Sequence, residues 1–175
     1  METLGGRYPR GVRWTSRLEA AGLKVFNRGM NGSMVPTESR YGAFSELVAS
    51  VQPLAAVTVM LGTNDILQGR SAEATAGQLA PFLDAVVKSA GEAKVLLIAP
   101  PVLCFGDWVQ SASVIAESER LAVYYRLLAQ ERQIAFADAG QWGIGLAFDG
   151  VHFSAEGHAV FFQGVYGALK ALLLI

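Results

Sequence analysis

The chain has 175 residues, 52% of them hydrophobic and 17% charged, with a mean hydropathy of +0.34 and a formal net charge of -1. That length suits one domain with a sizeable core, and the apolar balance excludes a disordered chain. The 14 basic and 15 acidic residues form no long run of either sign, so nothing steers the chain toward nucleic acid or anionic lipid.

The opening METLGGRYPR has no apolar core and does not read as a signal peptide. A first helix is expected over Trp14 to Ala21 and a strand over Leu23 to Asn27 (LKVFN). A second helix follows over Tyr41 to Val51, then a strand over Ala55 to Leu61 (AAVTVML). Helices over Ser71 to Ala90 and Ser113 to Arg132 bracket a strand at Val95 to Ala99 (VLLIA), and Ile134 to Asp138 (IAFAD) reads as a fourth strand. A last helix starts near Ser154, an N-cap with Glu156 in the first turn, where the helix dipole favours an anion. The C-terminal Lys170 to Ile175 (KALLLI) reads as the end of that helix rather than as a strand. The longest apolar run, around Val95 to Phe105, is broken by Pro100 and Pro101, so no segment is expected to span a membrane. Cys104 is the sole cysteine, which excludes an intrachain disulfide and a cysteine-based metal site. A single domain over 1–175, cytoplasmic and homo-oligomeric, is the expectation, since the composition offers more apolar surface than a lone monomer would bury.

Alternation of strands and helices indicates an α/β fold, a parallel sheet covered by helices on both faces. Ligands of such sheets sit beyond the carboxyl ends of the strands. The polar residues to weigh are therefore Asn27 to Ser33 (NRGMNGS), Gly62 to Asp65 (GTND), the Pro100-Pro101 turn, and Asp138 with the segment leading to FDGVH. In FDGVH, Asp149 lies three residues before His152, one of two histidines. At that offset a carboxylate reaches Nδ1 of the imidazole and leaves Nε2 free to act as a base. The bland alternative is a surface loop whose aspartate caps the helix at Ser154. Asn64 can offer an N–H to an oxyanion, and so can the backbone of a glycine in Asn27 to Gly32, yet both segments also fit ordinary turns. His158, inside the last helix, suits packing better than catalysis. The glycines of Asn27 to Gly32 match neither GxxxxGK[ST] nor GxGxxG, so a phosphate cradle is not expected.

NxGxxG, then GTND, then DGxH before a final helix, each after a strand, resembles the SGNH (GDSL-type) hydrolase family. VRWTSRLEAAG, MLGTND, KVLLIAPP and FADAG add to the likeness and make its arylesterase/acyltransferase branch the nearest. The resemblance implies a three-layer α/β/α fold with a flavodoxin-like sheet of order 2-1-3-4-5. It implies a serine esterase or acyltransferase acting on short-chain carboxylic esters through an acyl-enzyme, with no metal or organic cofactor. It assigns His152 as general base, Asp149 as its orienting carboxylate, and Asn64 and the Gly32 N–H as oxyanion donors. The expected partner is a small-molecule ester.

Those enzymes begin with a strand running into Gly-Asp-Ser, whose serine is the nucleophile; this chain contains no Gly-Asp-Ser, and no GxSxG replaces it. The first, central strand of the sheet is thus expected to be missing. Truncation at the start is the leading account. A gap filled by a partner chain or by KALLLI, or a catalytically inactive relative with a rearranged sheet, are the alternatives. Ser33 and Ser154 are the nearby hydroxyls, and both read as turn or cap serines. Trp14, Phe153, Trp142 and Met34 are candidate pocket lining, though core packing suits each at least as well.

Overall fold

Three of the four apolar runs expected as strands form one parallel sheet in the computed structural model, which describes residues 8–173. The strands are β1 (Ala56–Val59), β2 (Lys94–Ala99) and β3 (Ala135–Asp138), with β2 between the other two. Val57 lies opposite Val95, and Leu97 opposite Phe136. The helices are α1 (Trp14–Ala20), α2 (Tyr41–Ser50), α3 (Thr63–Leu67), α4 (Ala72–Ala90), α5 (Ala112–Glu131) and α6 (Ala155–Leu173). Serines start the long ones as the sequence implies: Ser71 Oγ accepts from Ala74 N–H at 3.2 Å and Ser154 Oγ from Gly157 N–H at 2.9 Å.

Strand β2 shows why helices cover both faces. Its period-two alternation sends Val95, Leu97 and Ala99 into a core with Leu79, Leu83 and Val86 of α4 and Leu121 and Tyr125 of α5. Leu96 and Ile98 point the other way, into a second core with Leu18 of α1 and Phe161, Val165 and Leu169 of α6. The result is the expected three-layer α/β/α arrangement. Lys170 to Leu173 continue α6, as expected of the KALLLI stretch, whose last two residues lie outside the described ones. Among the described residues no helix is long and apolar enough to cross a membrane.

Leu23 to Asn27 is not a strand, contrary to expectation. Its alternation survives, with Leu23 and Val25 packed against the second core and Lys24 and Phe26 exposed. A strand, however, exists only through a ladder to a neighbour. Among the described strands β1 pairs with β2 alone, and Leu23 N–H turns back to Leu18 C=O at 3.1 Å rather than joining a ladder. The described sheet is thus the 3-4-5 portion of the expected order. The short α3 was also unforeseen, because GTND reads as a strand-ending turn. It begins after Gly62 at φ 107°, where any side chain would strike the Tyr125 hydroxyl, itself donating to Leu61 C=O at 3.1 Å.

Candidate active site

Asp149 and His152 meet as the spacing implies. Residues 146–153 form a small hairpin closed by a Leu146–Phe153 bridge and by Ala147 N–H donating to His152 C=O at 2.6 Å. Asp149 at its tip is 1% exposed. Its Oδ1 accepts from the N–H groups of Val151 (3.0 Å) and His152 (2.9 Å), and its Oδ2 lies 2.9 Å from His152 Nδ1. Burial acts to raise the Asp149 pKa, but the two N–H groups and the imidazole outweigh it and hold the carboxyl below the usual carboxylate range. A carboxylate held ionised against Nδ1 fixes the tautomer with Nε2 as the basic nitrogen. His152 keeps 13% of its side chain exposed, and Nε2 has no hydrogen-bond partner among the described residues. The capping alternative fails, because Ser154 caps α6 by itself and Asp149 is spent on its own hairpin.

The loop after β2 braces this hairpin, a contact that the sequence did not reveal. Cys104, Asp107 and Trp108 donate their N–H groups to the carbonyls of Gly150 (3.2 Å), Phe148 (3.1 Å) and Asp149 (3.1 Å). Gly106 and Val109 exchange backbone hydrogen bonds across a tight turn, each at 3.1 Å. A Cβ on Gly106 would lie 2.5 Å from the Asp149 carbonyl carbon and 2.6 Å from the Phe148 oxygen, so only glycine allows this approach. The turn sets Trp108 edge-on to the imidazole, with ring centroids 5.1 Å apart and planes at 81°. The available signal was a Gly-Asp-aromatic turn at a strand's carboxyl end.

The other two expected site residues adjoin each other. Asn64, half-buried in α3, donates from Nδ2 to the Ser33 carbonyl at 2.8 Å, leaving its second amide hydrogen for another acceptor. Gly32 is exposed on the preceding turn, and its N–H has no intramolecular partner among the described residues. Below them Asp65, fully buried, accepts from Val35 N–H (3.0 Å) and pairs with Arg70 Nη1 (2.9 Å). Arg70 also bonds Gln78, whose Nε2 donates to Val35 C=O at 2.7 Å. This network, unseen in the sequence, pins residues 33–35 to α3. Met30, Gly32, Met34, Arg40 and Arg70 border an open groove of about 510 Å³ there. Because β1 and β2 are parallel neighbours, the Asn64 segment and the loop bracing His152 leave the same edge of the sheet.

The remaining candidates are structural. Ser33 and Ser154 make no hydrogen bond to His152 among the described residues. Trp14, Trp142 and Phe153 gather around Phe161 in the second core, whereas Met34 does line the groove. His158 is 2% exposed between Tyr8 and Phe153, and burial pushes its pKa down to about 4, with Arg17 and Arg13 acting in the same direction. Among the described residues no group of three or more His, Cys, Asp or Glu could hold a metal ion.

Fold and site define a three-layer α/β domain carrying an Asp–His pair at the carboxyl edge of its sheet. The chain belongs to the GDSL-like lipase/acylhydrolase family, whose model matches residues 2–160. A carbohydrate acetylesterase from Sinorhizobium meliloti is 27% identical over 95% of this chain and 88% of its own, with a TM-score of 0.82. A protein assigned as an arylesterase from Agrobacterium tumefaciens is 30% identical over 99% of this chain and 93% of its own (TM-score 0.83). The aryl esterase of M. smegmatis is 28% identical over 97% and 88% (TM-score 0.80). Among curated proteins none matches significantly. By lineage the chain is a carboxylic ester hydrolase.

Proposed function

We propose that this chain supplies the general base and two oxyanion donors of a serine esterase for short-chain carboxylic esters. The observation that carries the reading is the 2.9 Å bond from Asp149 to His152 Nδ1, with the carboxylate buried and Nε2 unengaged among the described residues. In the proposed cycle Nε2 takes the proton of a serine hydroxyl as its oxygen attacks the ester carbonyl. The carbonyl electron pair moves onto its oxygen, where Gly32 N–H and Asn64 Nδ2–H receive the charge. Collapse breaks the ester C–O bond, and the imidazolium returns its proton to the departing alcohol oxygen. Water, or an alcohol in a transferase reaction, then attacks the acyl-enzyme by the same route.

The nucleophile is the component not found among the described residues: the sequence holds no Gly-Asp-Ser, and no described serine is bonded to His152. Little serine-dependent turnover is therefore expected of these 175 residues by themselves. The test is p-nitrophenyl acetate hydrolysis with fluorophosphonate labelling of this chain and of His152→Ala. Rapid hydrolysis with stoichiometric labelling would overturn the expected impairment, and hydrolysis indifferent to His152→Ala would overturn the base assignment.

A second reading is a non-catalytic module that keeps the crevice for an acylated small molecule or sugar. The groove of about 510 Å³ beside Gly32 favours it. Saturable binding of an acetylated sugar without turnover, indifferent to serine-directed reagents, would support this reading.

A further inference from the structure

We propose that the groove beside Gly32 is a carboxylate site gripped by Arg40, so that the ester taken here carries a carboxylate at the far end of its acid half. The groove, of about 510 Å³, is lined by two guanidiniums, those of Arg40 and Arg70, and by no Asp or Glu. Arg70 is already compensated. Its Nη1 pairs at 2.9 Å with the buried Asp65, whose other oxygen accepts from Val35 N–H at 3.0 Å. Arg40 has no such partner: among the described residues its side chain makes no hydrogen bond or ion pair, and Glu38, two positions away, lies outside the lining. Arg70 is bonded only through Nη1, to Asp65 and Gln78, so its Nε and Nη2 keep hydrogens to donate. Among the lining residues Arg40 is therefore the one uncompensated charge. A single positive charge suits a carboxylate better than a phosphate dianion, and a planar guanidinium matches its two oxygens.

The walls suit the rest of such a ligand. Met30 and Met34, 68% and 36% exposed, offer flexible thioether side chains against which a short methylene chain can lie. Which half of the ester the groove holds follows from proton transfer, and this step rests on the esterase reading. The imidazolium must reach the departing oxygen, so the alcohol half lies toward His152. The groove reaches Gly32, an oxyanion donor of that reading, yet no residue of the 146–153 hairpin lines it. It therefore runs away from the leaving group, on the side of the acid.

The probe is monomethyl glutarate, a half ester with one carboxylate, set against dimethyl glutarate, the same chain without the charge. Methionine-methyl NMR reads the site directly, because Met30 and Met34 line the groove and Met60, packed in the second core, is the reference. The half ester should shift the Met30 and Met34 signals saturably and leave Met60 in place. Arg40→Gln, which removes a charge from an exposed side chain, should raise its Kd roughly three- to tenfold, the loss expected for one partly solvated charge-assisted pair. The dimethyl ester should bind more weakly than the half ester and ignore that substitution. No saturable shift in the parent chain, equal Kd for the two esters, or a half-ester Kd indifferent to Arg40→Gln overturns the proposal. Methanol released in the same samples, compared with His152→Ala, reads the esterase separately. His152-dependent release without Arg40-dependent binding removes the carboxylate site and leaves the esterase. Arg40-dependent binding without release supports the site and removes only the catalytic reading.

Discussion

Gly106→Ala tests whether the loop after β2 holds the Asp149 hairpin. The new Cβ would lie 2.5 Å from the Asp149 carbonyl carbon and 2.6 Å from the Phe148 oxygen, and closer still to Gly150 N, all backbone atoms with no rotamer to change. Carbon contacts settle near 3.5–4.0 Å, so the two segments must separate by roughly 1 Å. The three bonds joining them, from Cys104, Asp107 and Trp108 at 3.1–3.2 Å, would then stretch beyond hydrogen-bonding range. At about 0.5–1.5 kcal/mol each, with part recovered through water, the cost comes to roughly 2–3 kcal/mol. In a domain of this size that lowers Tm by about 5–10 °C. The controls are Gly77→Ala in α4 and Gly167→Ala in α6, where the added methyl meets nothing within 4 Å. Both should gain about 0.5–1 kcal/mol through helix propensity and a less flexible unfolded chain. Urea unfolding followed by circular dichroism, with the m-value checked for constancy, measures all three. A Gly106→Ala variant within 0.5 kcal/mol of the parent, on the scale of an ordinary surface change, would refute the clamp.

Three other predictions concern different parts of the molecule. His158 is held neutral, with a folded pKa of about 4 against roughly 6.5 unfolded, so the unfolded state binds the extra proton between those values. Stability should therefore fall by on the order of 2–3 kcal/mol as pH drops from about 6.5 to 4, and His158→Phe should flatten that slope in pH-dependent urea melts. Asp65→Ala leaves Val35 N–H and Arg70 without their buried acceptor; discounting for the 31% exposure of Arg70, it should cost about 2–4 kcal/mol in the same assay. Val123 (62% exposed) and Leu127 (51% exposed) sit one turn apart on α5, so if the expected self-association uses this face, Val123→Glu/Leu127→Glu should lower the mass seen in sedimentation equilibrium.

The features legible in the sequence were those decided by neighbours in the chain. Runs of branched apolar residues announced β1, β2 and β3 because a buried parallel strand needs no partner to look apolar. Leu23 to Asn27 looked the same and did not form a strand, since pairing belongs to two segments and only one could be read. The Asp149–His152 pair was legible because its members lie only three positions apart in the chain. The start of α3 depended on Tyr125, 64 residues from Leu61, and the brace on the hairpin joined residues 104–108 to 148–150. Asp65 looked like one more turn residue, and its role emerges only with Val35 and Arg70 in place. Periodicity carries no information about such contacts.

These braces divide the site in two. The base half, Asp149 with His152, is tied to the loop after β2; the oxyanion half, Asn64 with Gly32 and Ser33, is tied through Asp65 to Val35 and Arg70. No hydrogen bond or ion pair among the described residues belongs to both networks. Perturbations without shared partners add, to within about 0.5 kcal/mol. Gly106→Ala combined with Asp65→Ala should therefore lose the sum of the two single losses within that margin. If the double variant departs from the sum by more than about 1 kcal/mol, the halves are coupled through the sheet edge they share. In that event base and oxyanion donors would shift together, and neither half could be altered without the other.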